Sequence, residues 1–239
     1  MKILFLFSLV AFATTFSGSL LPIIGKPWKE HHLWRLVAFS SGVLLGIAFL
    51  HLVPESFELA GRHAALALLF TFALLYAAES VTLVHACEDF LEPQHHHFHL
   101  IPRSALLALT VHALIDGLVI GVGLHQNVFL GSIMSFGVIL HKFSDGLTLS
   151  SLLAASQYSK DRSIRLGASL AAATPTGAFV GYFLSTQLPS NLTGIVLGMA
   201  TGSFIYVGAA DLLPRLHHVR DRYCIVFFLL GIAIVGSFH

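Results

Sequence analysis

Two short stretches hold the residues most able to do chemistry: His112-Ala113-Leu114-Ile115-Asp116-Gly117-Leu118 and His141-Lys142-Phe143-Ser144-Asp145-Gly146-Leu147. Each pairs an imidazole with a carboxylate four residues on, and residues four apart share a helix face with Cβ atoms about 5–6 Å apart. Both stretches lie in apolar runs, and an ionised Asp at a bilayer centre costs about 2.5–3.5 kcal/mol on insertion scales. Such groups need partners. Two imidazole nitrogens and two carboxylates offset one divalent cation and suit Zn²⁺ at about 2.0–2.2 Å. The same set holds Fe²⁺ or Mn²⁺, because geometry and availability decide selectivity. Hydrogen bonding between helices is the plainer alternative for any one of these residues. Two copies of H-x-x-x-D-G-L in adjacent segments favour a shared cation site of His112, Asp116, His141 and Asp145. Gly117 and Gly146 leave room for close helix approach, as small residues do in membrane bundles.

The elements that hold these residues follow from composition. The chain has 239 residues, 56% hydrophobic and 10% charged, whereas soluble domains carry about 25% charged residues. Apolar runs of about 20 residues match a hydrocarbon core of about 30 Å, and helices satisfy their own backbone there. The expected class is an all-α membrane protein forming one transmembrane domain over 1–239. Its eight transmembrane helices lie near 3–25, 33–54, 63–85, 103–125, 129–156, 164–185, 192–213 and 221–238. The first span opens on Lys2 and a short apolar core, so a cleaved leader is its alternative. The long connection 86–102 contains Glu88, Asp89, Glu92 and the cluster His95, His96, His97 and His99. A net charge of +1 implies no nucleic-acid partner, and Cys87 and Cys224 make no disulfide framework.

Basic residues decide orientation, since they prefer cytoplasmic connections. With the N-terminus outside, Lys26, Lys29, Arg35, Arg103, Lys160, Arg162, Arg165, Arg215, Arg220 and Arg222 fall on the cytoplasmic side, and only Lys2 and Arg62 outside. Both termini are therefore expected outside and the 86–102 loop in the cytoplasm. Short loops point to a prokaryotic plasma (inner) membrane. An internal repeat is also visible: Ser41-Gly42 and His51-Leu52-Val53-Pro54 recur, 160 residues on, as Thr201-Gly202 and Asp211-Leu212-Leu213-Pro214. The two spans run oppositely in this topology, so the repeat is inverted, as in many secondary transporters with midplane sites.

With these pieces in place the chain resembles the ZIP (Zrt/Irt-like) family of divalent-metal transporters over nearly its full length. The matching segments are His51-Leu52-Val53-Pro54-Glu55, His112 through Gly117, His141 through Gly146, Thr174-Pro175-Thr176-Gly177 and Gly202-Ser203-Phe204-Ile205-Tyr206-Val207. The resemblance implies a 3+2+3 inverted repeat and metal movement toward the cytoplasm. It also implies that spans 1, 4, 5 and 6 move as an elevator against spans 2, 3, 7 and 8, often in a homodimer. Many members have a second metal position, with Asn after the span-four His and an acidic residue after the span-five His. Ala113 and Lys142 stand there. Lysine is a point charge with three donors, so a single ion is expected, with Lys142 bridging the two carboxylates.

Several other residues have candidate roles. His51, Glu55 and Asp211 are expected at the mouths of the pathway, with interfacial snorkelling as the alternative. Thr174 and Thr176 flank Pro175, whose missing N–H frees a carbonyl. The histidine cluster at 95–99 suits weak metal binding. The expected function is a secondary transporter with Zn²⁺, or Fe²⁺, Mn²⁺ or Cd²⁺, as substrate, the bilayer as surroundings and no catalytic cofactor. The alternatives are a channel-like cation conductor and an intramembrane zinc hydrolase. The hydrolase would use three protein ligands and an activated water; no H-E-x-x-H sequence occurs, and four ligands close the coordination shell.

Overall fold

A computed structural model describes residues 1–24, 30–91, 100–217, 219 and 221–237. The described residues form eight helical rods and no strand. They are α1 (Lys2–Ile24), α2 (30–60), α3 (Arg62–Leu91), α4 (Leu100–Gln126), α5 (Val128–Ala155), α6 (Lys160–Ser185), α7 (190–217) and α8 (Tyr223–Gly236). Lys2–Ile24, Trp34–Ala60, Leu106–Gln126 and Ser190–Leu212 are long and apolar enough to cross a membrane; Arg62–Ala78 and Tyr223–Gly236 are shorter apolar helices.

On α1 the largest apolar side chains mostly face outward. In α1 the buried stripe is Leu4, Ser8, Ala11, Thr15, Gly18 and Ser19, while Phe5, Leu6, Leu9 and Val10 are exposed. Apart from Leu4, small and hydroxyl-bearing residues of α1 thus face protein and large apolar ones face outward, the arrangement lipid favours because packing, not hydrophobicity, joins helices there. The same outward display continues on α3 with Leu66, Leu69, Phe70 and Leu74, and on α8 with Ile225, Val226, Leu229 and Leu230.

The rods pack as two groups. α4 lies along α6 and α1 along α5, and these four also touch one another; α2 lies along α8, and α3 along α7. Within the first group one contact is made twice. A Cβ on Gly117 would strike the Thr174 carbonyl oxygen, and one on Gly177 would strike that of Leu114. Likewise Gly146 meets the Thr15 carbonyl, and Gly18 that of Phe143. Thr15-x-x-Gly18 on α1 is therefore the counterpart of Thr174-x-x-Gly177 on α6. The second group repeats a pairing of its own, Gly42 against the Phe228 carbonyl and Gly202 against that of Leu68.

Three features differ from the sequence expectations. The span expected to end at Pro54 continues to Ala60, and the one expected to end at 213 continues to His217. In each, a π-helical turn, Ala48–Leu52 or Tyr206–Leu212, precedes the proline-bearing segment. Such a turn changes the local hydrogen-bond ladder, so a proline without an N–H enters at the start of the following α segment rather than stopping the rod. The expected connection 86–102 is shorter, since helix runs to Leu91 and resumes at Leu100. His95, His96, His97 and His99 lie outside the described residues.

Candidate metal site

Antiparallel packing of α4 against α5 brings both copies of the motif to one place. His112 on α4 is 5% exposed, Asp116 0%, His141 on α5 0% and Asp145 8%. One ligand atom from each lies within 4.8 Å of the others. Tetrahedral zinc with bonds of about 2.0–2.2 Å separates its ligands by about 3.3–3.6 Å, so small side-chain movements bring these four onto one ion. The imidazole rings are 5.5 Å apart between centroids, tilted by 46°.

The polar atoms converge unequally. Asp116 Oδ2 lies 3.2 Å from His112 Nε2, 3.0 Å from His141 Nε2 and 2.5 Å from Lys142 Nζ. Asp145 Oδ2 lies 2.6 Å from the same ammonium but 4.0 and 3.9 Å from the two imidazoles. Lys142 is fully buried and donates to both carboxylates. Burial of charge is costly, and that cost is offset only where the geometry is close and complete. Asp116 Oδ1 has no hydrogen-bond partner among the described residues, leaving one buried lone-pair oxygen ready for a cation. Ala113, the residue matched with Lys142 in the other copy, is buried in an apolar cluster with Leu149, Leu153, Leu170 and Ala173 and offers no ligand atom.

Each imidazole is also held from behind. The Nδ1–H of His141 donates to the Gly137 carbonyl at 3.1 Å. His112 Nδ1 lies 2.8 Å from Ser203 Oγ on α7, and the buried Phe204 ring meets His141 edge-on at 6.1 Å. Such outer partners orient metal-binding histidines and select the nitrogen that is presented. In the sequence Ser203 is only the small residue after Gly202. Thr15 and Gly18 were equally silent, although Thr-x-x-Gly recurs 159 residues on at Thr174 and Gly177.

The remaining candidates are not among the four converging groups. His51 lies half-buried in the π turn of α2, Glu55 half-buried one turn on, and Asp211 half-buried in the π turn of α7. Thr174 is buried with its carbonyl against Gly117. Thr176 is exposed, its hydroxyl donating to the Ala172 carbonyl at 2.8 Å. A cavity of about 460 Å³ between α7 and α8, lined in part by Leu216, Asp221, Cys224 and Phe228, shares no residue with the cluster.

Comparison with known proteins gives a consistent picture. A family model described as ZIP zinc transporter matches residues 92–238. Protein zntC of Dictyostelium discoideum is 34% identical over 114 residues, covering 46% of this chain and 28% of that protein. Zinc transporter ZIP4 of Homo sapiens is 29% identical over 167 residues, 68% of this chain and 25% of that protein. Zinc transporter ZupT of Chlorobium chlorochromatii is 24% identical over 257 residues, 98% of this chain and 94% of that protein. The chain thus spans about a quarter of the first two relatives and nearly all of the third.

Proposed function

Because this chain belongs to the ZIP zinc transporter family, we propose that it carries Zn²⁺ or a similar divalent cation across a membrane toward the cytoplasm. The ion binds at one site, between Nε2 of His112 and His141 and the carboxylates of Asp116 and Asp145. The observation that carries this reading is the convergence of those four buried groups, with ligand atoms within 4.8 Å of one another. Members of this family are transporters rather than enzymes, which removes the support for a hydrolase.

Binding exchanges the ion's water for the two imidazoles and two carboxylate oxygens, with the unpartnered Asp116 Oδ1 open to the first approach. Lys142 then leaves Asp116 Oδ2 to the ion and keeps its hold on Asp145. The ammonium also explains why one ion suffices. At an effective dielectric of about 20, unit charges about 4 Å apart repel by about 4 kcal/mol, and a second dication would meet both Lys142 and the first ion.

Eight crossings with both termini outside complete the reading. The duplicated Gly–carbonyl packing of α1–α5 and α6–α4 supports a 3+2+3 inverted repeat. The two packing groups supply the natural parts of an elevator, with α1, α4, α5 and α6 carrying the ion past α2, α3, α7 and α8. His51 and Glu55 would line one mouth and Asp211 the other.

The test is flux of radioactive zinc into proteoliposomes, with a competition panel of Fe²⁺, Mn²⁺ and Cd²⁺. Saturable uptake that disappears in Asp116→Ala supports carriage. Flux that does not saturate would favour a channel, and absence of flux would overturn the proposal.

A further inference from the structure

Consecutive residues of α7 touch both imidazoles of the cluster. Ser203 Oγ lies 2.8 Å from His112 Nδ1, and the Phe204 ring lies edge-on to His141. Both residues are fully buried, so neither contact is shared with water or lipid. His112 belongs to the α1–α4–α5–α6 group and Ser203 to the other, so this hydrogen bond crosses the boundary between them.

The two imidazoles are held by different chemistry. A backbone carbonyl only accepts, so Gly137 holds His141 with its proton on Nδ1 and fixes which nitrogen faces the cluster. A serine hydroxyl both donates and accepts, and it therefore serves His112 in either tautomer. It accepts from Nδ1–H when Nε2 offers its lone pair to a cation. It donates to Nδ1 in the other tautomer; His112 Nε2 makes no hydrogen bond among the described residues, with Asp116 Oδ2 3.2 Å away.

Resting on the transport reading above, we propose that Ser203 is a positioning residue for His112. Its hydroxyl aims the ring at the shared cation from the neighbouring helix group. Loss of an outer partner of a metal-binding histidine lowers metal affinity about 10–100-fold. The effect should fall on binding, which appears as weaker zinc affinity and a raised KM.

The experiment is zinc-binding titration of the purified protein alongside uptake kinetics in proteoliposomes. Ser203→Ala should weaken zinc binding and raise KM about 10–100-fold. Ser203→Thr, which keeps the hydroxyl, should restore most of the affinity. In a His112→Ala background, Ser203→Ala should add no further loss. An unchanged affinity in Ser203→Ala overturns the proposal, as does a fall in maximal rate alone. An equal further loss in the His112→Ala background overturns it too, since the effect would then not pass through His112. If Ser203→Ala does not fold, Ser203→Cys takes its place: a weaker sulfur partner should give an intermediate loss, and parent-like affinity would overturn the proposal. Absence of zinc uptake by the parent protein would instead sink the transport reading, with the titration still reporting on Ser203.

Discussion

Asp116 and Asp145 occupy equivalent positions in two copies of one motif, and their helices are locked in the same way, yet their carboxylates have different company. Behind each, a glycine accepts a neighbouring carbonyl, from Thr174 at Gly117 and from Thr15 at Gly146. In front, Asp116 is met by two imidazoles and an ammonium within 3.2 Å, whereas Asp145 has only the ammonium at that range. The backbone is duplicated and the chemistry is not. Lys142 holds both carboxylates alike, at 2.5 and 2.6 Å. The difference lies with the imidazoles, which stand 3.2 and 3.0 Å from Asp116 but 4.0 and 3.9 Å from Asp145. The residue after each histidine also differs, Lys142 against apolar Ala113. The glycine packing is shared by both copies of the motif, while a side chain beside the site serves the whole site once and is free to differ.

The largest test of this asymmetry compares the two carboxylates. Asp116→Ala should bring zinc uptake to background, because it strands two imidazoles and an ammonium together. Asp145→Ala should leave measurable uptake with KM raised about tenfold, a step of about 1.4 kcal/mol. Equal losses in the two would break the comparison. Next comes the lysine. Lys142→Ala removes one partner of a buried ion group, which costs about 3–5 kcal/mol, read as a lowered unfolding midpoint that saturating zinc partly restores by binding the folded form. Combining Ala113→Asn with Lys142→Asp should raise the bound zinc per chain from one to two by elemental analysis; a ratio still at one would show that Lys142 is not what limits occupancy.

The packing half of the comparison predicts sameness. Gly117→Ala and Gly146→Ala should each destabilise by about 1–3 kcal/mol, the usual cost of overpacking, and by similar amounts in thermal unfolding. A large disparity would mean that the two glycine contacts are not equivalent. The smallest effect lies outside both copies. The Arg35 guanidinium donates to Asp221 at 2.7 Å, and this hydrogen bond holds the Asp221 carboxyl below its ordinary range. Its contribution is complete above the ordinary carboxylate pKa and is lost as pH falls through the lowered value. Arg35→Met should abolish that acid-side decline in unfolding midpoint while leaving the zinc affinity of both motif copies unchanged.

The sequence revealed the rods and the four converging residues because both rest on periodic signals. Apolar runs mark helices, and a polar pair spaced by four in such a run marks a shared face. It did not reveal how the rods continue past Pro54 and Pro214, because a proline reads as a stop unless a π turn precedes it, and π turns have no composition of their own. Ser203 escaped for a related reason. A serine in a membrane helix commonly bonds its own backbone, as Ser185 does to the Gly181 carbonyl; only the neighbouring helix makes Ser203 different. Thr15 was hidden because its α1 surroundings share little with those of Thr174 apart from the glycine three residues on. The asymmetry of the carboxylates depends on side-chain rotamers and could be anticipated only as far as Lys142 and its two partners.

The buried ammonium has an electrical consequence. Asp116, Asp145 and Lys142 together carry one negative charge, and a bound Zn²⁺ turns their sum into one positive charge. In the proposed elevator, a membrane negative inside would draw the loaded unit inward and drive the unloaded unit back outward, so both half-cycles would run with the field. Each unit charge crossing 100 mV contributes about 2.3 kcal/mol. Without the lysine the loaded unit would be neutral, and the voltage would act on the return alone. Zinc uptake should accordingly steepen as a potassium diffusion potential is made more negative inside the vesicles, and a rate indifferent to that potential would show that the charge on Lys142 does not travel.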